Sequence, residues 1–327
     1  MAESLINSIA RLRVIEKTLL TGETAARLMA APSFEECLRI LRECGYGQAA
    51  RAGGDEIDSV IESELERTYS LVNELMPEKY AAVTDVFRMR HDLVNVKLLY
   101  KLRMMGGDVE GASLDFGGIY PEKELKAAVK RGDYSMLPER LKDALEELDV
   151  YTYRTPDPGE VARKLDSAYF EYAASVKNPF VREYFGALAD FTNVIALIRG
   201  AANDELMPTG ELTRDELSRI AESLPENRER ALGVLKKIGA SHRREALRAG
   251  FEEYLRTGHT AALEKSRDEY LIGLASEGRA EIDTVKPIVG YLLAREREAE
   301  VVRLILTAKR ASIPVSAIDE RSLKLYG

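Results

Sequence analysis

Apolar residues recur along this chain at the three- and four-residue spacing of a helix face, and almost nowhere with the alternation of a strand. The spacing predicts helices over 4–20, 58–75, 79–105, 122–131, 139–148, 159–176, 180–201, 228–238, 243–257, 260–277, 285–311 and 317–324. Two more carry start signals. Ser33-Phe34-Glu35-Glu36 has the form of a capping box, with the Ser33 hydroxyl toward the Glu36 amide and Glu36 reaching back. The helix behind it buries Phe34, Cys37, Leu38 and Leu41 and stops at Gly45. Thr213-Arg214-Asp215-Glu216 is a second box, ahead of Leu217, Ile220 and Leu224, and Pro225 then ends that helix or opens the next. Only Val150-Tyr151-Thr152-Tyr153 reads as a strand, and it stands alone, so the expected class is all-α.

The helical pattern repeats at long range. Val86-Phe87 with Asp92-Leu93-Val94-Asn95-Val96 and Leu99 returns as Tyr184-Phe185 with Asp190-Phe191-Thr192-Asn193-Val194 and Leu197. It returns again as Tyr291-Leu292 with Arg297-Glu298-Ala299-Glu300-Val301 and Leu304. A second marker lies upstream: Leu65 with Tyr69, Leu165 with Tyr169, and Ser266 with Tyr270. Solenoid repeats run to roughly 20–50 residues, so a period near one hundred describes a triplicated helical module instead. Gly/Pro punctuation (Gly106-Gly107, Gly117-Gly118, Pro121, Pro156, Pro158, Pro208, Gly210) places the modules at 1–106, 107–203 and 204–327.

Composition narrows the partners. A net charge of −8 disfavours a general nucleic-acid binder, which needs a basic surface to displace counterions, and disfavours adsorption to an anionic bilayer. A local basic stretch over 226–248, with Arg228, Arg230, Lys236, Lys237, Arg243, Arg244 and Arg248, reads as a solvated helical face. No stretch reaches the ~18–20 apolar residues needed to span a bilayer. Cys37 and Cys44 stand two helical turns apart, too far for a disulfide within an intact helix, and fit a reducing cytoplasm.

Catalytic patterns are not found. Gly45-Tyr46-Gly47-Gln48-Ala49-Ala50 matches a dinucleotide fingerprint in letters, but a helix precedes it where a strand is needed, so it reads as a helix stop. No GxxxxGK[ST], HExxH or GxSxG occurs; His91, His242 and His259 lack metal-ligand spacing, and His91 beside Asp92 reads as a structural pair. The expectation is no catalytic residue, no cofactor and no metal.

The stretch from Pro287 through Tyr291-Leu292-Leu293-Ala294-Arg295-Glu296-Arg297-Glu298-Ala299-Glu300-Val301 to Lys309 resembles the signature of the C subunit of archaeal and bacterial V/A-type ATPases, related to the d subunit of eukaryotic vacuolar ATPases. Glu300 stands where that family usually has Asn. Ala10-Arg11-Leu12-Arg13 with Glu16-Lys17-Thr18-Leu19-Leu20, Ser33 to Leu38, Tyr46-Gly47, Asp92 to Leu99 and Asp190 to Val194 are similar in the same order. The resemblance implies a funnel of three helical modules about a pseudo-threefold axis, with a central cavity. It implies a non-catalytic rotor part on the cytoplasmic face of the membrane, receiving central-axle subunits of the D and F type and seated on the proteolipid ring. An α-helical repeat adaptor for another protein is the alternative, although no ~34-residue period is found.

The module-equivalent polar positions Asp92, Asn95, Asp190, Asn193, Arg297 and Glu300 are the candidate site residues. Each Asp and its Asn share one helical face, where carboxylates and amides are poor choices unless they bond something. They either bridge neighbouring helices or modules, or line the cavity and meet the axle.

Overall fold

The computed structural model describes residues 5–47, 55–151, 157–202, 205–224, 228–314 and 325. Among these every regular element is helical: α1 (Leu5–Ile15), α2 (Gly22–Ala30), α3 (Phe34–Glu43), α4 (Glu56–Leu75), α5 (Ala81–Met104), α6 (Glu122–Arg131), α7 (Glu139–Tyr151), α8 (Pro158–Ser175), α9 (Pro179–Ile198), α10 (Arg214–Ser223), α11 (Arg228–Val234), α12 (Ser241–Thr257), α13 (Ala261–Glu277) and α14 (Lys286–Arg310), with short 3-10 turns between some of them. The all-α class stands.

Local departures from the expected elements have local causes. Val150 and Tyr151 are not strand but the last turn of α7. Leu141, Leu145 and Leu148 bury one face of that helix, and this packing overrides the weak β preference of the two residues that follow. Thr152 and Tyr153, the expected helix over 317–324, Pro225 and Gln48 to Ala50 lie outside the described residues. Thr213 completes its capping box, both arms present. Ser33 caps α3 through the Glu36 amide, whereas the Glu36 carboxylate takes a hydrogen bond from the Arg39 Nε at 2.8 Å. A guanidinium one turn ahead is a stronger partner for a carboxylate than a neutral amide. Gly45 and Gly47, at φ 76° and 69°, stop α3 as expected.

The chain packs as two compact units, residues 1–84 with 275–327 and residues 85–274, the division falling inside α5 and α13. In the first, α4 lies along α14. Ile57, Val60, Ile61, Leu65, Tyr69 and Val72 form its buried face at helical spacing, and α14 buries residues nearly all round. In the second, Phe87 of α5 centres an aromatic cluster, its ring 5.0 Å from Tyr184 and 5.4 Å from Phe185, with Tyr169 edge-on to Phe185 at 5.5 Å. A second core gathers Phe191 and Val194 of α9, Leu217 and Ile220 of α10, Leu247 and Phe251 of α12, and Leu263 of α13.

The repeated tyrosines have one habit. Tyr169 donates its hydroxyl to the Val86 carbonyl of α5 at 2.8 Å, and Tyr270 donates to Glu183 of α9 at 2.8 Å. Tyr69 donates to Glu296 of α14 at 3.3 Å. The second and third tyrosines therefore hold the long helix of the preceding repeat, and the first holds the long helix of the last.

Candidate functional site

The polar positions singled out in the repeats are buried in the first two, and there they do the same thing. Asn95 on α5 accepts from the Asp115 amide at 2.7 Å and donates to the Asp115 carbonyl at 2.9 Å, so its side chain pairs with the backbone as a neighbouring strand would. Asn193 on α9 makes the same two bonds with Met207, at 2.7 and 3.0 Å. One turn earlier, Asp92 accepts from the Ile119 amide at 2.7 Å and the Tyr120 amide at 3.4 Å. Asp190 accepts from the Leu212 amide at 3.1 Å, and the Glu211 amide also bonds it.

Counted from the Asn-bound residue, the amides on Asp are four and five positions later in both loops, although the loops themselves differ in length. The glycine three positions later matches as well. A Cβ at Gly118 would collide with Asp92 Oδ1, and one at Gly210 with Asp190 Oδ1. Each loop then runs into a ten-residue helix, α6 or α10. The Asp and Asn pair of each long helix thus staples the chain segment that begins the next helix. Burial pushes both carboxyls above the ordinary range, and the backbone amides hold them down only in part.

Among the described residues, the equivalent positions of the third repeat pair with each other on their own helix. Arg297 donates to Glu300 at 2.8 Å along the surface of α14, with the Glu300 side chain well exposed. His91, expected to pair with Asp92, turns instead to Asp115, with Nδ1 2.7 Å from Oδ2, because Asp92 is already taken by backbone amides.

Sequence reasoning missed a buried guanidinium. Arg243 of α12 was expected on a solvated face; it is 2% exposed. It grips Glu183 through Nε at 3.2 Å and Nη2 at 2.6 Å, Asp190 through Nη1 at 2.9 Å, and comes within 3.2 Å of Glu211. Burial pushes Glu183 up, but the bonds from Arg243 and Tyr270 outweigh it and leave this carboxyl below its usual range. Asp190, more deeply buried beside the same cation, stays above it. The available signal was Gly186. It occupies the position where the first repeat has Arg88, whose guanidinium holds the Gly117 and Gly118 carbonyls.

A second missed cluster lies in the first unit. Arg295 of α14 donates to Glu298 at 2.8 Å and to the Tyr291 hydroxyl at 3.0 Å, and stands 3.6 Å from Glu64 of α4. Its other terminal nitrogen meets Thr18.

Surface clefts among the described residues include two in the second unit. One, of about 750 Å³, is lined by Leu232, Leu235, Lys236, Arg244 and Arg248 among others; the other, of about 490 Å³, by Thr192, Ala196, Arg199, Glu264 and Arg267 among others. Among the described residues no group of three or more His, Cys, Asp or Glu side chains is placed to hold a metal ion, and no helix is long and apolar enough to cross a membrane.

The chain is 26% identical to the C subunit of the A-type ATP synthase of Methanocaldococcus jannaschii, over 92% of this chain and 81% of that one. It is 21% identical to the C subunit of the V-type sodium ATPase of Enterococcus hirae, over 98% of each. It is 24% identical to the C subunit of the A-type ATP synthase of Methanothermobacter thermautotrophicus, over 92% of this chain and 83% of that one. The model of the ATP synthase (C/AC39) subunit family matches residues 8–321. With all but the two ends covered, in a helical chain whose polar staples recur in register, the protein belongs to the ATP synthase (C/AC39) subunit family.

Proposed function

We propose that the chain is the non-catalytic central-stalk subunit of a V/A-type ATPase or ATP synthase. It acts as a socket that couples axle subunits of the D and F type to the proteolipid ring during rotary H⁺ or Na⁺ transport. The observation that carries this reading is the family match over residues 8–321. The names of the relatives, an ATP synthase subunit in one case and a sodium ATPase subunit in another, support the complex without choosing the ion. A seat on the cytoplasmic face of the membrane, held through the ring, fits a chain whose described helices include none able to span a bilayer.

Three modules, 1–106, 107–203 and 204–327, arranged about a pseudo-threefold axis would give the socket its funnel and cavity. The passage of the repeated tyrosines through the three long helices supports this, since a ring of three closes only if the first module holds the last. In this reading Asp92, Asn95, Asp190 and Asn193 bridge successive modules from within, because their burial leaves them no surface for an axle. Arg297 and Glu300 have exposed surface and are the better candidates for axle contact.

The test is a native pull-down of the tagged chain from gently solubilised membranes of its host, read by mass spectrometry. Axle and ring subunits recovered in fixed ratio support the socket. Soluble partners recovered without a ring overturn it and favour the adaptor.

A further inference from the structure

The turn after α3 presses one tyrosine into the core of the first unit. Gly45 and Gly47, both at positive φ, flank Tyr46, and a Cβ at Gly47 would stand 2.6 Å from Val60 Cγ1 of α4. Only a glycine lets the backbone lie that close. The Gly47 amide donates toward Glu64 Oε2, one helical turn beyond Val60, across 3.4 Å. Tyr46 itself is buried, and its hydroxyl stands among the charges of Glu298, Glu64 and Arg295. The letters that imitate a nucleotide motif here seat a phenol against buried charge.

Among the described residues, hydrogen-bond accounting leaves two polar atoms short at this point. The Tyr46 hydroxyl is buried with no partner. Glu64, also buried, has Oε1 held by Arg67 and faced by Arg295 at 3.6 Å, while Oε2 receives only the Gly47 amide, beyond the usual N–H···O range. The neighbouring groups are already engaged. Glu298 takes the Leu20 amide on Oε1 at 2.6 Å and Arg295 on Oε2 at 2.8 Å, and the Tyr291 hydroxyl takes the Arg295 Nε at 3.0 Å.

We propose that one water molecule is sealed between Tyr46 and Glu64, accepting from the phenol and donating to Glu64 Oε2, and that it pins the turn after α3 to α4. Folded interiors pair their buried polar groups, and an internal water is the usual partner where a donor and an acceptor face each other without meeting. Charge sets the occupant. Arg67 and Arg295 already oppose Glu64 and Glu298, so the site calls for a small neutral molecule that both accepts and donates, not a cation. The site goes beyond the proposed rotor role and does not depend on it.

The experiment is a high-resolution crystal structure of the full chain, with water-oxygen magnetic relaxation dispersion and urea unfolding of the wild type and Tyr46→Phe. Expected is an ordered water within hydrogen-bond distance of both the Tyr46 hydroxyl and Glu64 Oε2. Tyr46→Phe should hold one long-lived internal water fewer, and its folded-to-unfolded ratio should fall about fivefold. A bare Tyr46 hydroxyl in the crystal, or one bonded to a protein group, overturns the proposal. An unchanged number of long-lived waters in the variant does the same. So does a Tyr46→Phe chain as stable as the wild type or more so, since deleting an unpartnered buried hydroxyl relieves the interior instead. Should the variant fail to fold, the wild-type crystal structure decides.

Discussion

The guanidinium of Arg243 lies over Gly186, and a Cβ at position 186 would stand 3.4 Å from Arg243 Nη1. One repeat earlier the same helical position is Arg88, which serves the following loop from its own helix. The second repeat has a glycine there, and α12 delivers Arg243 to the space beside it.

Arg243→Met should therefore cost about 3–5 kcal/mol, since Glu183 and Asp190 lose the cation that holds them in the interior. Restoring an arginine on the long helix, as in Gly186→Arg combined with Arg243→Ala, should recover part of that loss. Urea denaturation of the single and double variants measures both, and no recovery would break the equivalence of positions 88 and 186.

Asn193→Ala removes an acceptor and a donor at once, leaving the Met207 amide and carbonyl without their partner. A loss of about 2–3 kcal/mol is expected, with a similar loss for Asn95→Ala at Asp115. Asn193→Asp keeps the acceptor and should fall between. Equilibrium unfolding ranks the three.

Gly118→Ala and Gly210→Ala should each destabilise by about 1–3 kcal/mol, because the added methyl forces the adjacent Asp off its amides. Gly233→Ala is the control: nothing lies within 4 Å of a Cβ there, and the site is helical, so the change should be neutral or mildly favourable. Thermal melts of the three variants provide the comparison.

The raised Glu298 carboxyl gives a pH dependence of known sign. The folded chain keeps its proton up to about pH 7, so the contribution is favourable in acid and is lost as pH rises from 4.5 through 7. The full loss is on the order of 3 kcal/mol. Wild-type stability should fall relative to Glu298→Gln between pH 5 and pH 8, and parallel profiles for the two chains would contradict it.

The helices were legible because packing in a helical protein is written at a spacing of three and four residues, which survives without knowledge of any partner. Positions 92, 95, 190 and 193 were legible for a related reason: an Asp and an Asn inside a helix are conspicuous unless something bonds them, and the pair returns one repeat later in the same register. The partners were not legible. Nothing in the run from Asp108 to Tyr120 marks Asp115 as the residue that Asn95 will hold, since a staple binds backbone and backbone has no letter.

Arg243 was misread for the same reason in reverse. It sits among exposed cations in a basic stretch, and only the approach of α9, with a glycine at 186 and carboxylates at 183 and 190, turns it inward. The hydrogen bond from the Leu20 amide to Glu298 joins residues 278 positions apart. No local pattern carries such a pairing.

The sequence by itself determined the all-helical class, the triplicate pattern and the polar positions that need partners, because these follow from periodicity and from the cost of polar groups inside helices. The tertiary structure alone decided which loop each staple holds, which arginine is buried and which carboxylates it meets. Those depend on desolvation and on contacts between segments far apart in the chain, and neither exists until the helices pack.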